Sequence, residues 1–392
     1  MISQRCDSIA PFFVMELVKE AERLERSGRS IVHLSIGEPD FTAPERVVQA
    51  ARIALESGRS RYTPALGIAP LREAIGRFYR DRFGLEVEAD RIVITAGASG
   101  ALVLLLSALL DPEDELLLPD PSYPANRHIA SALGARSRLL ACGPAQRFQL
   151  NAAAVESAWS ARTRGVLMGS PSNPTGTTIE PAALAGLCDR VLSRGGFVLV
   201  DEIYQGLTYD HAPATALALD SRIAVINSFS KYFGMTGWRL GWIVAPPEWV
   251  APLERLSQNL YLCASAVAQH AALACFEPES LAVFEQRREQ FRQRRDFLVP
   301  ALQQLGFKIP VVPGGAFYIY ADISDVARAA GDRSGGSTQF ARRLLHEGGV
   351  CLVPGKDFGA FDSERYVRVS YAASLDDLQE ATRRIRGWLE RG

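Results

Sequence analysis

The sequence predicts an α/β fold, in which a mostly parallel sheet covered by helices on both faces is joined to a smaller α+β unit. Three observations carry this reading. Short apolar runs without polar alternation (Ile92–Thr95, Gly165–Gly169, Phe197–Val200, Ile223–Ile226) recur between segments whose apolar residues repeat at helical spacing. Such runs mark strands buried on both faces. After Gly306 the chain changes character, with strand-like stretches interleaved with shorter helical ones. Finally, 392 residues that are 47% hydrophobic and 22% charged suffice for a large core and for two or three domains.

Taken in order, Phe12 to Arg26 places Val14, Leu17, Val18, Ala21 and Leu24 at helical spacing among charged residues, which makes an amphipathic first helix. Ile31 to Ile36 reads as a short strand entering the turn Gly37-Glu38-Pro39-Asp40. Residues 45–57 and 70–83 are helical by pattern, with the Gly/Pro loop Arg61–Gly67 between them. The strand Ile92–Thr95 turns through Ala96–Gly100 into an apolar helix, Ala101–Leu110. A strand, a small-residue turn and a helix start together make an anion site, because the first amides of a helix lack partners.

The alternation continues with strands at Glu115–Leu118, Arg138–Cys142 and Gly165–Gly169, and helices at Tyr123–Leu133 and Ala152–Trp159. A further helix opens at Pro181 and stops near Gly195-Gly196, where proline and glycine sit at the ends that suit them. Helical pattern dominates from Glu248 to about Leu305. Its arginines are balanced by acids, so that helix presents a solvated face. Beyond it, Phe317–Tyr320, Val350–Val353 and Tyr366–Tyr371 read as strands, and Thr338–His346 and Asp376–Leu389 as helices. The glycine- and serine-rich loop Gly331–Ser337 is expected to be mobile. A large domain over 45–290 and a small one from 1–44 plus 291–392 follow.

Composition excludes several classes of function. The 43 basic and 44 acidic residues nearly cancel, leaving no electrostatic footprint for nucleic acid or an anionic membrane. Six scattered cysteines without a C-x-x-C pair, and five histidines without H-E-x-x-H, support neither a disulfide framework nor a metal centre. They fit a reducing compartment. No signal peptide is indicated, and Ala101–Leu110 is too short to span a bilayer. G-x-G-x-x-G and the P-loop motif are absent, which removes the main support for dinucleotide or nucleotide binding.

The most informative stretch is Ser228 to Gly241. Lys231 sits among Ser, Phe, Tyr and Trp with no acidic neighbour in sequence, and desolvation of an amine favours its neutral, reactive form. Eight residues later Arg239 supplies a permanent cation suited to phosphate. A reactive amine beside a phosphate clamp suggests a phosphorylated carbonyl cofactor, pyridoxal 5'-phosphate held as a Schiff base. Asp201 closes the apolar strand Phe197–Val200, where a buried carboxylate needs a partner. Ligands on such sheets bind beyond the carboxyl ends of the strands. Asp201, Ser228–Lys231, Ser170 and Gly97–Ser99 all fall on that edge.

These residues together resemble the fold-type I, class I/II pyridoxal-phosphate-dependent aminotransferases, with similarity running from about Ile31 to the C-terminus. The resemblance implies an aspartate-aminotransferase-like architecture whose large domain holds a seven-stranded, mostly parallel sheet. It implies that Lys231 holds the cofactor and then acts as proton-transfer base, and that Ser228, Arg239 and the amides of Ala98 and Ser99, next to Gly97, bind its phosphate. Asp201 (in Val200-Asp201-Glu202-Ile203-Tyr204) matches the partner of the ring nitrogen, while Tyr204 and Asn173 (in Ser170-Pro171-Ser172-Asn173-Pro174) match the groups on the 3-hydroxyl. Tyr123 would stack on the ring. Tyr62 would reach a partner subunit's phosphate, which implies a homodimer with shared active sites. Arg368 (in Val367-Arg368-Val369) would grip the substrate's α-carboxylate, with Gly37 and Asn173 beside it.

Ser99 stands where some aspartate-directed members carry a lysine, which points away from strict aspartate specificity. With Phe12, Phe13, Ile36 and Tyr123 expected near the pocket, the reading is a cytoplasmic aminotransferase taking a neutral or hydrophobic amino donor, with a 2-oxo acid such as 2-oxoglutarate as acceptor. A C-S lyase or another enzyme of the same scaffold would share every residue named. A non-catalytic amino-acid-sensing regulator is disfavoured, because Lys231 and Arg368 are both present and no room for a DNA-binding module precedes Phe12.

Overall fold

In the computed structural model, which describes residues 2, 3, 6, 7, 9–330 and 336–391, the apolar runs form the middle of one large sheet. Its strands are drawn from the order β1 (Val32–His33), β2 (Ile92–Thr95), β3 (Glu115–Asp120), β4 (Arg136–Ala141), β5 (Thr163–Gly169), β6 (Phe197–Asp201), β7 (Ala224–Ser228), β8 (Gly241–Val244), β9 (Tyr318–Asp322), β10 (Val350–Cys351), β11 (Val353–Pro354) and β12 (Tyr366–Ser370). The seven-stranded sheet runs β2-β8-β7-β6-β5-β3-β4. Six of these strands point the same way, and β8 alone is antiparallel to both its neighbours.

Both faces are apolar, as the continuous runs require. Val198 and Val200 pack into one core with Val166, Met168 and Trp242, while Leu199 packs into the other with Leu167 and Ile243. Burying a side chain of this size contributes roughly 1.5–3 kcal/mol. Helix α1 spans Phe13–Arg26, α2 Glu45–Glu56, α3 Ala69–Phe83 and α4 Gly97–Leu109. Leu102, Leu104, Leu105 and Leu106 of α4 fill the second core.

Several expectations change in detail. Gly241–Val244, not singled out from sequence, is the seventh strand and inserts between β2 and β7. The helix expected from Ala101 starts at Gly97, so the small-residue turn is its first turn. Only Val32–His33 of the expected strand Ile31–Ile36 pairs in a sheet, with β10, because the run leads at once into the Gly37–Asp40 turn. Val350–Val353 is shared between two sheets: β10 pairs with β1, whereas β11 joins the antiparallel sheet β11-β12-β9. The helical stretch from Glu248 resolves into Pro247–Leu260, Ala266–Ala272 and Pro278–Gln304, broken first near Leu262, whose φ is 68°. Residues 331–335 of the loop expected to be mobile lie outside the described residues. Among the described residues, no helix is long and apolar enough to cross a membrane.

The consequence for function is positional. The carboxyl ends of β2, β3, β5, β6 and β7 face one edge, and β12 of the small sheet brings Arg368 to the same cavity.

Candidate active site

A cavity of about 490 Å³ lies at this edge and collects Ala98, Ser99, Tyr123, Asn173, Asp201, Tyr204, Ser228, Lys231, Arg239, Gly37 and Arg368. Lys231 follows β7, in a turn closed by the Gly234 amide donating to the Lys231 carbonyl. Its Nζ donates to the Gly37 carbonyl at 2.6 Å. Burial lowers the ammonium to a pKa of about 8, helped by Arg368 and Arg239 and opposed by Glu38 and Asp201. The amine is therefore poised to lose a proton near neutral pH, which makes it a usable base and nucleophile.

Asp201 ends β6, and its Oδ1 accepts from the Ile203 amide at 3.1 Å. Burial raises its carboxyl to about 7, against the pull of that amide and of Lys231. Among the described residues the Asp201 carboxyl is in no ion pair, with Lys231 or any other cation, and its one hydrogen bond is to the Ile203 amide. Its folded-state pKa lies above the unfolded value, so its contribution to stability declines as pH rises from about 4 to about 7. Asp201→Asn is accordingly expected to raise the melting temperature of the cofactor-free protein more at pH 8 than at pH 5. An equal shift at the two pH values would refute the buried-charge account.

Tyr204 and Tyr318 share a hydrogen bond, with Oη atoms 3.0 Å apart, and burial drives both phenols upward. Arg368 is 5% exposed. Its Nη1 donates to Asn173 Oδ1 at 3.0 Å and its Nη2 to the Ser35 carbonyl at 2.6 Å, while Nε has no partner. The guanidinium lies over the rings of Tyr318 and Phe358, 4.4 and 4.9 Å from their centroids. It pairs with no carboxylate among the described residues, and buried charges are seldom left so. Gly37 admits this packing only for want of a side chain: a Cβ there would sit 2.6 Å from Tyr318 Oη.

At the other end of the cavity Ser228 Oγ lies 3.0 Å from Ser230 Oγ and accepts from the Ser230 amide at 3.1 Å. Asn227 Oδ1 fixes the Ser228 amide at 2.8 Å. Arg239 adopts a left-handed conformation, φ 53°, and its Nη1 donates to the Thr236 carbonyl at 2.9 Å. Gly97, with φ +70°, opens α4, and a Cβ there would meet Arg239 Nη2 at 2.6 Å. The helix start, the two serines and Arg239, which has no carboxylate partner among the described residues, form a cup for an anion.

Tyr123 lies on the cavity wall with the Phe12 ring stacked 6.1 Å away. Tyr62, expected to reach a partner subunit, is 84% exposed and lies off this chain's own cavity, on the loop between α2 and α3. Phe13 points away from the cavity and under the Arg342 guanidinium. The sequence reading did not single out Tyr318, Phe358, Asp357 or a separate role for Ser230. Alternation along Phe317–Tyr320 and the paired glycines around Lys356-Asp357-Phe358 were the available signals. Ser122 Oγ and Asn126 Oδ1, both buried on the cavity wall, have no partner. The set suits a ligand with an anionic end, a protonatable ring nitrogen and a carbonyl, together with a small carboxylate.

The chain matches the family described as aminotransferase class I and II over residues 29–385. It is 39% identical over 386 residues to a valine–pyruvate aminotransferase of Mycobacterium tuberculosis, covering 97% of each chain. Among solved structures, an aminotransferase from M. tuberculosis superposes with a TM-score of 0.94 at 36% identity over 100% of both chains. An aspartate aminotransferase from Thermus thermophilus, solved with maleate, gives 0.92 at 32% identity over 99% of each.

Proposed function

The chain belongs to the class I and II aminotransferases, and from that premise we propose that it binds pyridoxal 5'-phosphate in this cavity and moves an amino group from a neutral or hydrophobic α-amino acid to a 2-oxo acid. The observation that carries the reading is a single cavity holding an amine poised near neutrality, a buried carboxyl without a cation and a buried arginine without a carboxylate. The cofactor fits this donor set. Its phosphate suits the cup of Ser228, Ser230, Arg239 and the α4 start at Gly97, Ala98 and Ser99; its ring nitrogen suits Asp201; its 3-hydroxyl suits Tyr204 and Asn173; and Tyr123 supplies a stacking face. When bound, it supplies an electron sink that acidifies the donor's α-carbon.

The chain's own residues do the rest. Arg368 fixes the α-carboxylate, and the Asn173 oxygen keeps the guanidinium in place. Lys231, once its amine is free, has a pKa that lets it take a proton and return it at neutral pH. Asp201, charged once a cation faces it, holds a proton on the ring nitrogen. Tyr204 and Tyr318 stay neutral and act as donors.

The wall formed by Phe12, Val14, Met15, Val18, Ile36 and Leu102 favours an apolar donor side chain. Among the described residues of the one chain, the cations on the cavity wall are Lys231, Arg239 and Arg368, and a 2-oxo acid such as 2-oxoglutarate or pyruvate is the acceptor whose α-carboxylate Arg368 would bind. The exposed Tyr62 supports a homodimer in which it reaches the partner's phosphate cup, and a cytoplasmic location and the domain division at 45–290 belong to the same proposal. A half-reaction screen with spectral readout tests the substrate class: valine, leucine and phenylalanine should bleach the yellow enzyme faster than aspartate. Faster bleaching by aspartate would refute it.

A further inference from the structure

We propose that Asp357 is a positioning residue that fastens the start of α1 across the cavity mouth and thereby sets the fit for apolar amino donors; this rests on the cavity being the donor site. Asp357 is 6% exposed and lies on the cavity wall. Its Oδ1 accepts from the Phe13 amide at 2.9 Å, and its Oδ2 faces the Val14 amide at 3.4 Å. A carboxylate at that place satisfies two amides that a helix start leaves free, and it complements the helix dipole. The residue before the helix, Phe12, supplies no side-chain cap of its own. Asp357 is thus a cap delivered from 343 or 344 residues away in the chain.

What α1 carries makes this fastening matter. Val14, Met15 and Val18 line the cavity, and Met15 is 52% and Ile36 42% exposed, which places them at its mouth. The Phe12 ring stacks on Tyr123. The same short turn, Gly355–Asp357, leads into Phe358, whose ring lies against the Arg368 guanidinium. The Phe358 carbonyl accepts from the Ser122 amide at 2.9 Å, and the Asp357 carbonyl accepts from Arg127 Nη2 at 2.9 Å. One turn therefore ties the apolar lid, the stacking tyrosine and the carboxylate-binding arginine to each other. Arg368 and Arg127 act on the Asp357 carboxyl through space, and among the described residues its hydrogen bonds go to the Phe13 and Val14 amides and not to either guanidinium.

The rest of α1 has its own anchors. Leu17 and Ala21 pack with Ala341, Leu345 and Cys351, and Glu20 meets His346 at 2.6 Å. Removing the Asp357 carboxylate should loosen the first turn and leave the helix docked.

The test uses the full-length, cofactor-loaded enzyme. In Asp357→Ala, amide exchange at Phe13 and Val14 is expected to speed up about tenfold, the scale of losing one cap. KM for leucine and valine should rise about tenfold, with KM for alanine changing less than about twofold and kcat largely kept, the pattern of lost uniform binding. Asp357→Asn, which keeps one acceptor oxygen, should fall between. Unchanged exchange at Phe13 and Val14 would overturn the clamp. Fast exchange with an unchanged KM for leucine, or equal rises for alanine and leucine, would overturn its link to selectivity. An unmodified enzyme that takes no apolar donor would instead sink the substrate reading, while the exchange measurement would still decide the clamp.

Discussion

Lys231→Ala is expected to abolish turnover and the yellow colour of the purified protein together. Among the described residues, Lys231 is the one lysine on the cavity wall, and under the proposed function both covalent attachment of the cofactor and proton transfer at the donor's α-carbon would depend on it. Loss of a positioned acid-base group alone costs roughly 10²–10⁴-fold, and loss of the covalent anchor comes on top. Absorbance spectra and single-turnover kinetics with leucine measure the two effects separately. A Lys231→Ala protein that stays yellow, or that turns over within about tenfold of the unmodified enzyme, contradicts the assignment. The fold should survive, because Phe229 and Tyr232 on either side, not Lys231, carry the core contacts.

Asp201→Ala should keep the cofactor weakly and lose activity by about 10³-fold, the scale of removing one preorganised electrostatic partner from a dry site. Two opposed effects meet at this residue. The carboxylate is costly to bury without a cation, so its removal should stabilise the cofactor-free protein even as it disables the loaded one. Titration with the cofactor, followed by the rate of the half-reaction, separates affinity from rate. Turnover close to that of the unmodified enzyme would remove Asp201 from its role.

Much of this was readable from the chain. The runs Phe197–Val200 and Ile223–Ile226 announced buried parallel strands because both of their faces are apolar, and Asp201, Ser228 and Lys231 then had to lie at one edge. Arg368 was legible only through its motif, since an arginine in a strand is usually solvent-facing and nothing local says that Asn173 and Ser35 receive it. Gly241–Val244 is no longer than Ile92–Thr95, but it begins with a glycine at the end of the Ser228–Gly241 motif, which masks it as a strand, and its antiparallel direction is set by pairing with β2, distant in sequence. Tyr318 and Asp357 were hidden for the same reason. Each acts on a group more than a hundred residues away, Tyr204 in one case and the α1 amides in the other. Phe13 shows the limit of reading by proximity: its neighbour Phe12 precedes the helix and faces the cavity, whereas Phe13 lies on the side of α1 that packs with Leu17 and Ala21.

The insertion of β8 between β2 and β7 also sets when the site can exist. Val225, Ile226, Asn227 and Ser228 pair with β8 across the nearby loop of residues 229–240, but Ile92 to Thr95 must pair with a strand roughly 150 residues further along. Such a distant pairing closes slowly, since chain entropy is lost before contacts repay it. A nascent chain that has emerged only as far as Arg239 holds every phosphate-cup residue, yet β2 and β7 would still be separate edges and the α4 start would not face Ser228. The anion cup is then a late product of folding, assembled when the centre of the sheet is filled, and anion binding there would report completion of the large sheet.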